Sequence, residues 1–183
     1  MADFTIDRCH IGYFGRLSKR TWKPTIIVIH HSDTKDDGTT RRVLKNKGCS
    51  THFEIEKDGH IYQYADLDEI CLHCSGVNHR AIGIDITHRH GTTFTDAQVQ
   101  ACKWLCKHIC NQTGIPCKVR LELEPGIYPH CGIGLTVCPD GFPIAKVGEP
   151  EISTLDAIRA LIDLAKMEGE WDEICHELIK EIT

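Results

Sequence analysis

The hydrophobic and polar positions along the chain predict strands that alternate with helices. The segment TIIVIHHS begins at Thr25, holds five consecutive β-branched residues and ends on two histidines, which is typical of a buried strand with a polar end. The segment AIGIDITH, which begins at Ala81, has a similar apolar character. Between them, THFEIEKDGHIYQYADL alternates apolar and polar residues on both sides of Lys57-Asp58-Gly59. This alternation predicts a β-hairpin.

A long amphipathic helix is predicted after these strands, because Thr95 is a suitable N-cap and Gly114 a suitable stop. Four residues recur at helical spacing and should form one buried stripe: Val99, Cys102, Cys106 and Cys110. We also expect a short helix before Gly48 and a short strand at 118–123. Residues 1–24 and 125–143 are predicted to be irregular, the second stretch because it is rich in Gly and Pro.

The alternation of strands and helices also predicts the fold class and the domains. We expect an α/β fold with a mixed central β-sheet flanked by helices. Residues 1–150 would form one domain, which is long enough to bury a sizeable core. Residues 151–183 would form a C-terminal helical extension packed on that domain, because their apolar residues share one helical stripe: Leu155, Ile158, Leu161, Ile162 and Ala165.

Composition restricts the classes of partner and the cellular compartment that we expect for this protein. The formal net charge of -5 argues weakly against nucleic acid as the main partner. No apolar run approaches the roughly 20 residues that span a bilayer, so we expect no membrane partner. The N-terminal segment lacks the apolar region of a secretory signal, and we therefore expect a protein that is made in the cytoplasm. We also expect a monomer. The eleven cysteines are odd in number, which favours reduced thiols over a disulfide framework.

Several residues have the chemistry of zinc ligands. Zinc prefers nitrogen and sulfur, and a catalytic zinc uses three protein ligands and leaves one position for water. His30 and His31 end a buried strand, and His130 and Cys138 lie in the Gly/Pro-rich stretch. Because alternate strand residues point to opposite faces, only one of the two adjacent histidines can face a metal ion. The residues alone leave open whether this set binds a metal or is hydrogen-bonded structure.

Two other clusters compete for a metal-binding role. Cys71-Leu72-His73-Cys74 has the spacing of half a structural zinc site, but no second Cys-x-x-Cys completes it. His88-Arg89-His90 precedes a Gly-Thr-Thr turn and is interpreted as a solvated loop.

Five segments occur in an order that resembles the type 2 N-acetylmuramoyl-L-alanine amidases. This family includes phage amidases, a cytosolic anhydromuramyl-peptide amidase and the animal peptidoglycan recognition proteins. The segments are IVIHHS, STHFEIEKDGHIYQY, LHCSGVNHRAIGIDI, FTDAQVQACKWL and HCGIGLTVCPD. No single segment would be sufficient, whereas five in this order are specific. The resemblance runs from about Lys23 to Pro143 and implies the fold of this family.

The resemblance implies a zinc ion, Zn2+, as cofactor, with His30, His130 and Cys138 as its ligands. His31 is the alternative to His30, which is preferred because the family places its ligand first in such a pair. His52 is interpreted as a strand residue that packs beneath the site.

The resemblance also implies the remaining site residues. Thr136 matches a position that contacts the reacting carbonyl, and His73 and Asn78 match positions that line the substrate groove. Thr51 stands where phage members have a catalytic tyrosine. Asp85, in the predicted Ile-Gly strand, is therefore the candidate general base, although related cytosolic amidases have the longer glutamate there.

The implied activity is zinc-dependent hydrolysis of the amide bond between N-acetylmuramic acid and L-alanine, with peptidoglycan or a muropeptide as substrate. Two alternatives stay open: a non-catalytic peptidoglycan-binding module, and an interaction protein in which zinc only fastens the long loop. The expected protein acts on the cell wall after release or delivery. Phage lysis with a holin, a secreted antibacterial effector with an immunity protein, and muropeptide recycling all fit this expectation.

Overall fold

The computed structural model describes residues 4–9, 18–120 and 122–150. All of them belong to the unit Met1–Pro150. A β-sheet forms the centre of this part of the chain. The strands of this part are β1 (Ile6–Arg8), β2 (Ser18–Lys19), β3 (Ile26–His31), β4 (Phe53–Ile55), β5 (Ile61–Gln63), β6 (Glu69–Ile70), β7 (Ala81–Ile86), β8 (Lys118–Val119), β9 (Gly126–Pro129) and β10 (Glu149–Pro150). The α-helices are α1 (Thr40–Asn46) and α2 (Asp96–Thr113).

Eight strands form one mixed sheet in the order β1-β5-β4-β7-β3-β9-β8-β10, and β2 pairs with β6 in a separate ribbon. Neighbouring strands of the large sheet are parallel except β4 and β5, which form the predicted antiparallel hairpin. The central strand β3 lies between β7 and β9. Because these three strands are parallel, their carboxyl ends meet at one edge, where the following loops place functional side chains. The predicted mixed α/β fold is confirmed.

One face of the sheet is apolar and packs against α2. Ile27 and Ile29 of β3, together with Ile82, Ile84 and Ile86 of β7, are fully buried in this core. Burial of a side chain of this size contributes about 1.5–3 kcal/mol relative to exposure. The buried stripe of α2 contains the three predicted cysteines, and all three are free thiols. The apolar residues of the stripe include Val99, Cys102, Leu105, Cys106, Ile109 and Cys110. This face therefore supplies a large share of the folding free energy.

The ends of α2 follow the sequence prediction. The Thr95 hydroxyl accepts a hydrogen bond from the Gln98 amide at 3.1 Å, and the Gln98 side chain accepts one from the Thr95 amide at 3.0 Å. This capping box satisfies two backbone donors at the helix start. Gly114 ends the helix with φ of 81°, a left-handed conformation that glycine adopts without steric cost.

The opposite face carries a second, smaller apolar cluster, which includes Ile26 and Val28, and buried polar side chains against which α1 packs. Thr40, at the start of α1, has its hydroxyl 3.1 Å from that of Thr87. The Arg41 guanidinium lies over the Tyr62 ring, 5.5 Å from its centroid. Glu54 of β4 is fully buried on this face and accepts a hydrogen bond from Thr87 at 3.0 Å. The residues that alternate onto this face of β3 and β7 are Ile26, Val28, His30, Ala81, Gly83 and Asp85.

Three sequence predictions of local structure were wrong in part. The stretch 125–143 contains β9, which pairs with the central strand β3. Its four residues include a glycine and a proline, so they show no strand period, and pairing with β3 determines their conformation. Residues 1–24 include β1 and β2, which are likewise too short to show a pattern. Of the strand expected at 118–123, the described residues show only the two of β8.

The predicted C-terminal helices at 151–183 lie outside the described residues. Among the residues that are described, no helix combines the length and the apolar content needed to cross a membrane.

Candidate active site

His30 and Asp85 stand side by side at the carboxyl edge of the sheet. The parallel strands β3 and β7 are in a register that pairs these two residues. Alternation places both on the face opposite the apolar core. His31 has the other orientation, and its ring lies 6.0 Å from that of His88. The structure thus separates the two adjacent histidines onto opposite faces, as strand alternation requires.

His130 and Cys138 reach the same place from the loop after β9. The Nδ1 atom of His130 lies 3.1 Å from Nδ1 of His30. The Cys131 amide donates to the Cys138 carbonyl at 2.7 Å, which closes the loop, and Cys138 Sγ accepts from the His31 amide at 3.2 Å. One ligand atom from each of His30, His130 and Cys138 lies within 4.8 Å of the other two. Within the described residues, no other group of three such side chains comes this close.

The chemistry of these three side chains fits a metal ion. Burial lowers the pKa of His30 well below its usual value, and nearby histidines add to that shift. Burial also lowers the pKa of His130. Both imidazoles are therefore neutral and can offer a lone pair. Burial raises the pKa of Cys138 to about 12. A cation beside the sulfur would reverse that shift, because it stabilises the thiolate. Two neutral imidazoles and one thiolate suit zinc.

An open cavity of about 460 Å³ lies beside the three side chains, and Asp85 forms part of its wall. Asp85 is 4% exposed, and its Oδ1 atom has no hydrogen-bond partner among the described residues. Burial and, to a smaller degree, the nearby Glu54 raise the pKa of Asp85 to about 8, while Lys47 opposes the shift. An acidic side chain with a raised pKa and an oxygen atom without a partner, on the wall of a cavity, is a candidate for proton transfer.

Thr136 and His73 also line this cavity. The Thr136 hydroxyl accepts a hydrogen bond from the Cys138 amide at 3.2 Å, which leaves its own proton available for a ligand. The His73 ring lies against the metal-site histidines, with its Nδ1 atom 3.0 Å from Nε2 of His30.

Asn78 has a different placement, one step back from the cavity. Its side-chain oxygen accepts hydrogen bonds from the amides of His73, at 3.0 Å, and Cys74, at 2.7 Å. The cavity wall as described does not include Asn78. In this structure Asn78 therefore holds the loop that carries His73.

Thr51 and His52 are fully buried behind the site. His52 Nδ1 accepts a hydrogen bond from the Gly83 amide at 3.0 Å, and His52 Nε2 lies 3.0 Å from the Glu69 carbonyl oxygen. The Thr51 hydroxyl donates to the Phe53 carbonyl at 3.3 Å. Both residues thus support the strands, as was interpreted for His52.

The sequence reasoning missed the wall that α1 contributes to the cavity. Val43 and Leu44 line it from the helix, and Lys47 lines it from the residue that follows the helix. The helix itself agrees with the short helix expected before Gly48. The sequence could not indicate where this helix packs.

The competing clusters have other roles in this fold. His88 is 3% exposed and stacks on Phe94, with ring centroids 3.5 Å apart, so its interpretation as solvated loop was wrong. His90 is exposed and forms an ion pair with Asp140 at 3.0 Å. Cys71 is buried, and burial raises its pKa to about 12. It behaves as a core thiol.

Solved structures with the same architecture define the class of protein. The N-acetylmuramoyl-L-alanine amidase LysC from Clostridium intestinale is 26% identical, with a TM-score of 0.65 over 78% of this chain and 94% of that chain. A Drosophila peptidoglycan recognition protein, PGRP-SA, shares the fold at a TM-score of 0.55 and 20% identity, over 75% of this chain and 86% of that chain. The fold is thus the one shared by these amidases and recognition proteins.

The sequence comparison identifies the family. The N-acetylmuramoyl-L-alanine amidase family model matches residues 20–141, and the chain belongs to this family. A protein of Rickettsia conorii, named as a candidate N-acetylmuramoyl-L-alanine amidase, is 31% identical over 96 residues, which cover 48% of this chain and 36% of that relative. The match therefore spans just over a third of the length of the curated relative.

Proposed function

We propose that the protein hydrolyses the amide bond between N-acetylmuramic acid and L-alanine in peptidoglycan, with zinc as its cofactor. The observation that carries this proposal is the convergence of His30, His130 and Cys138 beside an open cavity whose wall includes Asp85. Family membership and the similarity to a clostridial amidase support the class of substrate.

His30, His130 and Cys138 would hold the zinc ion. When bound, zinc lowers the pKa of a water ligand and polarises a carbonyl group, which is the activation that a neutral amide requires. A set of three protein ligands beside an open cavity favours a catalytic over a structural role, because a structural site closes its fourth position with a fourth protein ligand.

The chain's own residues would move the protons and position the substrate. The unpartnered Oδ1 atom of Asp85 would accept a proton from the attacking water and then donate it to the leaving L-alanine nitrogen. The Thr136 hydroxyl, which lines the cavity, would donate to the developing oxyanion. His73 would contact the substrate along the cavity wall, and Asn78 would act in the groove through the loop that it holds.

Digestion of purified, insoluble peptidoglycan by the zinc-loaded full-length protein tests this function. Mass spectrometry of the soluble products should show stem peptides with a free L-alanine amino terminus and glycan strands without peptides. A His130→Ala variant is the matched control and should release neither. If the wild-type protein is retained on peptidoglycan but releases no such products, it is a binding module and the proposed activity is wrong.

A further inference from the structure

We infer that His73 is a positioning residue that fixes the ring orientation and tautomer of His30 and thereby sets the metal affinity of the site. This inference rests on the metal centre of the proposed function. It assigns to His73 a contact with the protein that is separate from any contact with substrate.

The two ring nitrogens of His30 face different partners. Nδ1 lies 3.1 Å from Nδ1 of His130, on the side of the ligand cluster, whereas Nε2 lies 3.0 Å from Nδ1 of His73. The His30 and His73 rings meet edge to face, with centroids 5.1 Å apart and planes at 85°. His30 is 5% exposed, so solvent offers its Nε2 atom little alternative.

These contacts determine which nitrogen of His30 can carry the proton. A ligand through Nδ1 needs its lone pair there, so the proton of the neutral ring must be on Nε2. A buried N–H needs an acceptor, and the His73 Nδ1 atom is within hydrogen-bond distance. His30 would therefore donate through Nε2 to His73, and the proton of the neutral His73 ring would lie on its own Nε2 atom, which has no partner among the described residues. A partner on the second ring nitrogen is a general requirement of histidine ligands.

The other buried histidine near the site cannot take this role. His52 Nδ1 already accepts from the Gly83 amide, and its Nε2 lies 3.0 Å from the Glu69 carbonyl. Both of its ring nitrogens are therefore occupied, and its ring supports β7 from behind. His73 is the histidine whose Nδ1 atom lies within hydrogen-bond distance of His30 Nε2.

Two features of the fold allow the His73 ring to lie against His30. The Asn78 side chain accepts from the His73 backbone amide and fixes the start of the loop. Gly83 of β7 leaves the space for the ring, because a Cβ atom there would lie 2.8 Å from the Cγ and Cδ2 atoms of His73. A contact of that length requires the ring to move. The absence of a side chain at Gly83 is thus what allows His73 to lie against His30.

The test is the zinc affinity of the full-length protein, measured by competition with a chromophoric chelator. His73→Ala should weaken zinc binding by about 10–100-fold, the usual cost of losing such a partner. His73→Asn should restore most of the affinity, because its amide oxygen can take the place of Nδ1. His79→Ala, an exposed histidine in the same segment, is the matched control and should bind zinc like the wild type. Circular dichroism confirms folding in each case.

Nitrogen-15 NMR of the zinc-loaded wild-type protein provides a second readout that needs no variant. It should show His30 bound through Nδ1 and protonated at Nε2. Wild-type affinity in a folded His73→Ala variant, or coordination of His30 through Nε2, would overturn the inference alone. Failure of the wild-type protein itself to bind zinc would instead overturn the proposed metal centre.

Discussion

The two faces of the central sheet use the same strands for different purposes. In β3 and β7, Ile29 and Ile84 are fully buried in the apolar core against α2. The next residues along, His30 and Asp85, turn to the other face and line the cavity. Adjacent residues of one strand therefore serve different purposes: one packs in the core and the next lines the candidate site. The apolar face gains free energy from burial, whereas the polar face holds buried groups whose pKa values are shifted and a carboxylate oxygen without a partner.

The largest expected effect on zinc binding and activity comes from substitution of His30, compared with its neighbour His31 on the other face of the sheet. His30→Ala should lose zinc binding and reduce amidase activity to background, because it removes a ligand of the proposed centre. His31→Ala should keep zinc and most of the activity, since its ring lies on the side of His88. Metal analysis of the purified variants checks both expectations. Equal zinc loss in the two variants would contradict the division into faces.

The next largest effect tests whether Asp85 acts as a general base or only has a structural role. Asp85→Asn keeps the shape of the side chain but removes its basicity, so turnover should fall by about 10²–10⁴-fold while zinc is retained. Asp85→Glu should be tolerated better, because the carboxylate remains. Turnover numbers with zinc content measured on the same samples provide the check. Near-normal turnover of a zinc-loaded Asp85→Asn variant would mean that the base lies elsewhere.

A smaller effect is expected at Thr136, whose hydroxyl has two tasks. Thr136→Ala should reduce turnover on the order of 10²-fold, as loss of one oxyanion donor does. Thr136→Ser keeps the hydroxyl, and with it the acceptor for the Cys138 amide, so it should remain close to the wild type. Steady-state kinetics measures both. If Thr136→Ala loses zinc together with activity, the hydroxyl only supports the loop.

The smallest effect is expected on the apolar face, at the residue directly before Asp85. Ile84→Val should lower the free energy of unfolding by about 0.5–1.5 kcal/mol, because it removes one buried methylene. Zinc content and turnover should stay unchanged. Chemical denaturation measures the first quantity, and the digestion assay the second. A fall in turnover comparable to that of Asp85→Asn would show that the faces are not independent.

The sequence predicted the parts of this structure that carry a long, regular pattern. The strands β3 and β7, the hairpin and α2 each have a period or a cap that their own residues show, such as Thr95 and Gly114 for α2. The strand β9 was missed because Gly126–Pro129 has no such pattern and is defined by its neighbour β3. The position of α1 at the cavity wall was missed for the same reason, because it depends on packing between distant segments.

For the candidate site, the order of the family-like segments predicted His30, His130 and Cys138 as a ligand set. The structure places these three side chains close together. The order of the segments could not show the contact between His30 and His73, because these residues are 43 positions apart and meet only through the sheet. Asn78 was expected in the groove because of the motif it belongs to. Its side chain instead accepts from two backbone amides, a role that only the folded loop reveals.

The most direct test of the account is the amidase activity of metal-free protein during titration with zinc. Chelator-treated protein should be inactive, and the release of stem peptides should rise linearly with added zinc and level off at about one equivalent per chain. That result would tie the activity to a single metal centre on the polar face. Full activity without metal, or zinc binding at one equivalent without any release of stem peptides, would contradict it.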